Sequence, residues 1–319
     1  MSIPSLKVAV IGGGPGAERE VSLSSANGIA SALRATWPDA TVLDLDAELP
    51  STLLRERYDV VFPALHGAIG EDGTIQGFLE ILGIPYVGSG VLASACGLNK
   101  IVAKQIFRAF NLPVAREVII EAGEPVESAI DRIQQSFPLD VVIKPVAQGS
   151  AIGVGFARSR EELAEAVRDA QKFGDRILIE ERITGKEITC AVLERPQAEA
   201  LTTIEVRTPQ GAWYDYEHRY TTGMSEHVIP AGIPTEQNER VKEIAVLAHE
   251  ALQCRDFSRA DFVVPEDGDP ILLEVNTLPG MTPTSLFPDA ARFVGYTLEE
   301  LARDLVVRAW GRRDSMSMR

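Results

Sequence analysis

Apolar runs and helical spacings alternate along the first third of the chain. KVAVIG is a short apolar run ending in glycine, a helical pattern starts at about Glu18, and TVLDL and DVVFPAL are further apolar runs. GTIQGFLEILG has helical spacing, and IPYVGSG is again apolar before its glycines. Short apolar runs separated by helices predict βαβ units around a parallel sheet. From Asn99 the pattern changes to a helix to Phe110, a strand near Glu117, a helix from Val126 to Gln135, the apolar run VVIKP, the helical SREELAEAVRDAQKF and the strand RILIEERI. That order predicts a small α+β unit.

From Glu187 the runs EITCAVLE and ALTTIEV read as strands and lead into an irregular stretch from Pro209 to Pro234. A helix from Thr235 to Gln253, a hairpin and two terminal helices complete the chain. An irregular stretch of that length in a compact chain is usually functional or a linker. Trp213, Tyr214, Tyr216, Arg219 and Tyr220 within it favour a closing lid over 209–234. The expected class is therefore α/β (α+β), divided into 1–98, 99–186 and 187–319.

Composition narrows the function. With 319 residues and 45% hydrophobic content, the chain can bury two or three cores. No apolar run reaches about 18 residues, and the N-terminus enters a strand without a leader pattern, so a cytoplasmic protein is expected. Cys96, Cys190 and Cys254 are isolated and show no CxxC spacing, which predicts inert thiols. A net charge of −15 argues against nucleic acid and anionic membranes, which surplus Lys and Arg would hold. A polyphosphate ligand would need local cations and the help of a divalent metal.

The stretch VVIKPVAQGSAIGVGFA suggests such local cations. Lys144 ends an apolar run and precedes Gly149, Ser150, Gly153 and Gly155, whereas a P-loop lysine follows its glycines. Strand-like runs flank the loop on both sides, so the segment reads as a flexible hairpin, with Lys144 holding phosphate from the strand beneath.

The segment FSRADFVVPEDGDPILLEVNT is a second hairpin, turning at Glu266 to Asp269. If Pro265 faces Pro270, Val263 faces Leu272, Asp261 faces Glu274 and Arg259 faces Asn276. All eight share one face, and Ala260, Phe262, Val264, Leu273 and Val275 share the other. Two carboxylates about 5 Å apart repel by roughly 3 kcal/mol at an effective dielectric near 20. Either the two side chains splay apart in water, or Arg259 alone neutralises the pair, or Asp261, Glu274 and the amide oxygen of Asn276 bind Mg²⁺, a hard cation that prefers oxygen. Arg259 would then meet developing negative charge beside the metal.

GGGPGAEREVS, ALHGAIGEDGTIQG, IPYVGSGVLASACGLNK, IKPVAQGSAIGVG, YDYEHRY, RADFVV and LLEVNTLPGMTPTSL resemble, in order and spacing, the D-alanine–D-alanine ligases of the ATP-grasp superfamily. The resemblance covers nearly the whole chain. It implies an ATP-grasp fold in three domains, usually homodimeric, with a parallel N-terminal α/β domain and ATP sandwiched between the central and C-terminal domains. Two Mg²⁺ ions, for which Mn²⁺ can substitute, would bridge the phosphates. The γ-phosphate would pass to the carboxylate of one D-alanine, and the amine of a second would attack the acyl phosphate, for peptidoglycan precursor synthesis.

The resemblance puts Lys100 and Lys144 on the ATP phosphates, and Glu180, Ile183 and Glu187 on adenine and ribose, with Trp213 and Leu273 packed on the base. Asp261, Glu274 and Asn276 match the metal ligands. Arg259 and the backbone of Gly280 would stabilise the tetrahedral intermediate, Ser285 and Leu286 would hold the second D-alanine, and Glu18 with His66 would orient the first. Ser150 and Tyr220, with Glu18, would latch the lid and exclude water. Taken from the sequence alone, Ser285 could be a plain helix cap, and both roles can hold because a helix N-terminus is itself a carboxylate site.

Four positions depart from the family pattern: Arg219 stands where Lys is usual, Gln148 where Glu is common, Ala151 where a second Ser is common and Gly16 where Ser is common. Arg and Lys are not equivalent beside phosphates. Tyr220 is the family's companion of dipeptide formation, which makes an amino acid the expected second substrate. Two other readings remain open. A related ATP-grasp ligase could join different amino acids. A nicotinamide-dependent oxidoreductase is suggested by Gly12, Gly14 and Ala17 with Asp44, although Glu18 and Glu20 would repel a pyrophosphate at the helix N-terminus.

Overall fold

The computed structural model describes residues 3–16, 18–209, 223–282 and 284–313. The chain begins with β1 (Val8–Gly12), α1 (Arg19–Leu33), β2 (Thr41–Asp44), α2 (Leu49–Glu56), β3 (Val60–Pro63), α3 (Thr74–Leu82) and α4 (Val91–Leu98). The three strands form a wholly parallel sheet in the order β2-β1-β3, and β1 and β3 are buried throughout, as continuous apolar runs require. The apolar run IPYVGSG adds only a single bridge, Val61 to Tyr86. Beyond Val87 the backbone turns away, because the Gly88 N–H donates to the buried Asp256 carboxylate at 2.8 Å.

Next come α5 (Lys100–Ala109), β4 (Glu117–Ile120), α6 (Val126–Ser136), β5 (Val141–Pro145), β6 (Gly155–Ala157), α7 (Arg160–Ala170) and β7 (Ile177–Glu181). The Asn99 side chain caps α5 by accepting from Val102, and Ser159 caps α7 by accepting from Glu162. The four strands pair antiparallel in the order β4-β7-β5-β6, and α6 and α7 cover one face of the sheet with their apolar residues. The glycine-rich loop is thus a hairpin between β5 and β6.

The remainder comprises β8 (Lys186–Glu194), β9 (Ala198–Arg207), β10 (Glu226–Val228), α8 (Thr235–Ala251), β11 (Phe257–Val264), β12 (Ile271–Asn276), α9 (Leu286–Phe293) and α10 (Leu298–Gly311). Its strands form an antiparallel sheet in the order β10-β9-β8-β11-β12. Part of the stretch expected to be irregular is therefore an edge strand, with His227 paired to Val206. Residues 210–222, which contain Trp213, Tyr214, Tyr216, Arg219 and Tyr220, lie outside the described residues, as does Ala17.

The β11–β12 register differs from expectation in one step. Arg259 faces Asn276 and Asp261 faces Glu274, but Phe262 then pairs with Leu272 and Val263 with Ile271, so Leu273 is the extra residue of a bulge. Leu272 consequently turns into the core with Phe262 and Val275, and its N–H donates to Pro113 at 2.8 Å. The predicted faces of Leu272 and Leu273 are exchanged.

The first sheet's core does not end at residue 98. Leu301, Leu305 and Val306 of α10, with Phe287 of α9, belong to the same buried cluster as β1, β3 and α1. A capping box at Thr297 and Glu300 starts α10. At its far end Arg312 grips Asp256 through two bonds of 2.6 and 2.7 Å. Asp256, wholly buried, thus ties the last helix to Gly88.

Candidate active site

Three parts of the fold converge: the carboxyl ends of the parallel strands, the β5–β6 hairpin, and the β11–β12 surface. Loops at the carboxyl ends of parallel strands are where ligands gather in such sheets. Two adjoining cavities result, sharing a wall of Lys100, Gln148, Gly149, Glu274 and Leu286.

In the first cavity the Ser150 hydroxyl donates to Glu18 Oε1, so the hairpin touches the start of α1. Ser150 and Ala151 have φ of 49° and 57°, a left-handed backbone that costs non-glycine residues energy. Gly153 follows at φ 71°, and a Cβ there would lie 2.6 Å from Phe173 and 2.7 Å from Pro145. Across the cavity, half-buried His66 lies 3.3 Å from the Ser25 hydroxyl. Burial and the nearby Arg259 cation lower its pKa to about 4, so it is a neutral imidazole at neutral pH. Gly280 is packed against Ser285, whose Oγ would lie 2.9 Å from a Cβ at 280.

Ser285 occupies the N-cap position of α9, but its hydroxyl does not cap the helix. It meets the Thr282 hydroxyl at 2.7 Å and accepts from the Thr282 N–H at 3.1 Å. The reading of Ser285 as a plain helix cap is thereby corrected. Leu286 begins α9 and lines both cavities.

Arg259 donates twice to Asp261, at 2.8 Å each, and Thr189 donates to Asp261 at 2.7 Å. Lys100 meets Glu274 at 2.9 Å and donates to the Gln148 carbonyl at 2.8 Å. The facing carboxylates are thus neutralised by two cations, one more than Arg259 alone, and their repulsion by itself does not demand a metal. The Asn276 amide oxygen accepts from the Leu278 N–H at 2.9 Å. Two carboxylates and an amide oxygen form an all-oxygen set, which fits Mg²⁺ that keeps waters and shares its shell with phosphates.

The second cavity is lined by Lys144, Glu187, Asp261 and Leu273, and the bulge is what turns Leu273 towards it. Lys144 meets Glu180 at 2.5 Å. Burial alone would lower the pKa of the Lys144 ammonium, but Glu180, with Glu274 and Glu187 beyond it, raises it instead. Glu180 is buried behind Lys144, on the strand that ends just before Ile183. Burial would raise its pKa, yet Lys144 and Lys104 hold it down to about 2.

Two residues were missed in the sequence. Glu71 lies in the loop HGAIGEDG and lines the first cavity, accepting from the Gly67 N–H at 2.8 Å. Burial and the neighbouring Glu18 carboxylate push its pKa up to about 8, against the pull of that N–H. An acidic residue in a glycine-rich loop after a parallel strand was the available signal. The other, Lys104, is a lysine set between Ile101 and Phe107 on the buried face of α5.

The nicotinamide reading loses its acidic residue. Asp44 is held by two bonds from Arg19 and accepts from the Gly14 N–H at 3.2 Å, inside the turn it was expected to complement.

Two antiparallel sheets that close on a cleft, with a lysine-bearing hairpin on one and a carboxylate surface on the other, define the ATP-grasp class. The family descriptions "D-ala D-ala ligase C-terminus" and "D-ala D-ala ligase N-terminus" match residues 106–307 and 48–89. The D-alanine–D-alanine ligase of Halalkalibacterium halodurans is 45% identical over 303 residues, covering 94% of this chain and 98% of that protein. The D-alanine–D-alanine ligase of Coxiella burnetii superposes with a TM-score of 0.84 at 25% identity, covering 98% and 96% of the two chains. That of Bacillus anthracis, solved in complex with ATP, gives 0.82 at 29% identity, covering 98% and 99%. This chain belongs to the D-alanine–D-alanine ligase family.

Proposed function

We propose that the protein joins two D-alanines into D-alanyl-D-alanine, with ATP converted to ADP and phosphate, in peptidoglycan precursor synthesis. The observation that carries this reading is the shared wall. A cavity with lysines for phosphate opens, past Lys100 and Glu274, into one with Glu18, Arg259 and Ser285 for amino acids.

Glu18, assisted by neutral His66, orients the ammonium of the first D-alanine so that its carboxylate lies at the shared wall. Lys100 and Lys144 hold the ATP phosphates, Glu187, Glu180 and Ile183 serve ribose and adenine, and Leu273 packs on the base. A carboxylate oxygen of the first D-alanine takes the γ-phosphoryl group, and ADP is the leaving group. Such a transfer needs chiefly positioning and charge neutralisation. Asp261, Glu274 and Asn276 are the residues that would hold Mg²⁺, which when bound neutralises phosphate charge.

Ser285 and the backbone of Leu286, at the start of α9, hold the carboxylate of the second D-alanine. Its amine, having lost a proton, attacks the acyl carbon. Arg259 and the Gly280 N–H stabilise the tetrahedral oxyanion, which collapses to the amide as phosphate leaves. The Ser150–Glu18 contact keeps water from the acyl phosphate, with Tyr220 of the lid as its third member and Trp213 and Arg219 on the nucleotide side.

The division into 1–98, 99–186 and 187–319, the homodimer and the cytoplasmic location belong to the same proposal. Among the described residues no helix is long and apolar enough to cross a membrane. Phosphate release from ATP with Mg²⁺, across a panel of D- and L-amino acids and D-lactate, tests the whole reading. D-Alanyl-D-alanine should dominate by mass. No release with D-alanine, or a depsipeptide as main product, would overturn it.

A further inference from the structure

Behind the nucleotide cavity lies a row of alternating charges, of which the reaction as described uses Glu180 and Lys144 but not Lys104, Glu117 or Arg108. Arg108 meets Glu117 at 2.5 Å, Glu117 meets Lys104 at 2.6 Å, Lys104 donates to Glu180 Oε1, and Glu180 Oε2 meets Lys144 at 2.5 Å. The inner members are buried: Lys104 is 1% exposed and Glu180 3%. Only Lys144, at the end of β5, reaches the nucleotide cavity.

We propose that Lys104 is a positioning residue for the nucleotide: it is the permanent counterion of Glu180, which leaves Lys144 free to exchange that carboxylate for an ATP phosphate. This rests on the reading that Lys144 serves the phosphates. A lysine that turns from a buried carboxylate to a ligand would strand that carboxylate, and a buried charge without a partner is strongly unfavourable. Glu180 has two oxygens, each with its own lysine, so Lys144 can depart while Lys104 stays. Lys104 itself has no route to the ligand, since it lies on the buried face of α5 and lines neither cavity. Glu117, also held by Arg108, is a second carboxylate on Lys104, whose hold on Glu180 does not depend on it.

Without Lys104, Lys144 would be the last cation on Glu180 and would be held there. Lys104→Met should therefore raise the KM for ATP about tenfold or more, with the KM for D-alanine unchanged, and Lys104→Arg should restore most of the loss. A KM for ATP that stays at the parent value, or KM values for ATP and D-alanine that rise together, would overturn the proposal. Should Lys104→Met fail to fold, Glu117→Gln decides, because it leaves both lysines on Glu180. A KM for ATP at or below the parent value supports the proposal, and a rise refutes it. Lys144→Ala separates the two layers of argument. If it leaves the KM for ATP unchanged, the phosphate reading itself fails; if it raises it while Lys104→Met does not, only the role of Lys104 fails.

Discussion

The hydroxyl of Ser150 donates to the carboxylate of Glu18, a residue 132 positions earlier, and so closes the glycine-rich hairpin onto the start of α1. A hydrogen bond to a charged group contributes about 1.5–3 kcal/mol. We expect Ser150→Ala to lower kcat/KM for D-alanine roughly ten- to hundredfold. Ser150→Gly should be as slow, although glycine accepts the φ of 49° without strain. Steady-state kinetics of both variants check this; a Gly variant at parent rate would show that the backbone, and not the hydroxyl, matters.

Glu274 is paired with Lys100 and faces Asp261. Glu274→Gln keeps the shape and removes one of two carboxylates, so Mg²⁺ titration of phosphate release should shift to higher concentration and turnover should fall sharply. Chelation of divalent ions should abolish parent activity, with Mn²⁺ restoring part of it. An unchanged Mg²⁺ titration in the variant would remove Glu274 from the metal shell.

Glu71 should leave a signature in stability against pH. Its pKa rises from 4.5 to about 8 on folding. Below 4.5 the carboxyl is protonated in both states and folding bears no penalty. Between 4.5 and 8 the folded chain retains a proton that the unfolded chain releases, so the contribution is lost as pH rises, by a few kcal/mol at most. Melting curves of parent and Glu71→Gln from pH 5 to 8 should therefore diverge, with the variant losing less stability towards pH 8. Parallel curves would contradict the raised pKa.

Arg312→Ala would take the Arg312 cation from the wholly buried Asp256 carboxylate, to which the Gly88 N–H would still donate. Breaking a buried pair from one side costs about 3–5 kcal/mol. Urea unfolding should show a loss of that order, and a shift within experimental error would mean that the last turn of α10 is dispensable.

Much of this architecture was legible in the chain. Buried parallel strands declared themselves as unbroken apolar runs, and the two hairpins were marked by Gly149, Gly153 and the turn at Asp267 and Gly268. The facing of Asp261 and Glu274 followed from period-two alternation. What escaped depended on partners distant in sequence. The strand expected at IPYVGSG is cut short because Gly88 finds Asp256 168 residues later. The pairing of Lys100 with Glu274 and of Lys104 with Glu180 cannot be inferred from local spacing, and neither can the crowding that makes Glu71 basic.

The bulge at Leu273 separates two properties that an unbroken hairpin would couple. Because the frame shift occurs between Asp261 and Phe262 on one strand and at Leu273 on the other, the phase of Asp261, Glu274 and Asn276 is fixed on the closed side of the bulge. The turn at Glu266 to Asp269 lies on its open side and is exposed throughout. Lengthening that turn with flexible residues should leave the carboxylate surface in register. Deleting Leu273 alone would restore regular alternation, keeping Leu272 in the core opposite Phe262 while removing the apolar floor of the nucleotide cavity. The sequence can thus drift at the tip of this hairpin while its chemistry stays in phase.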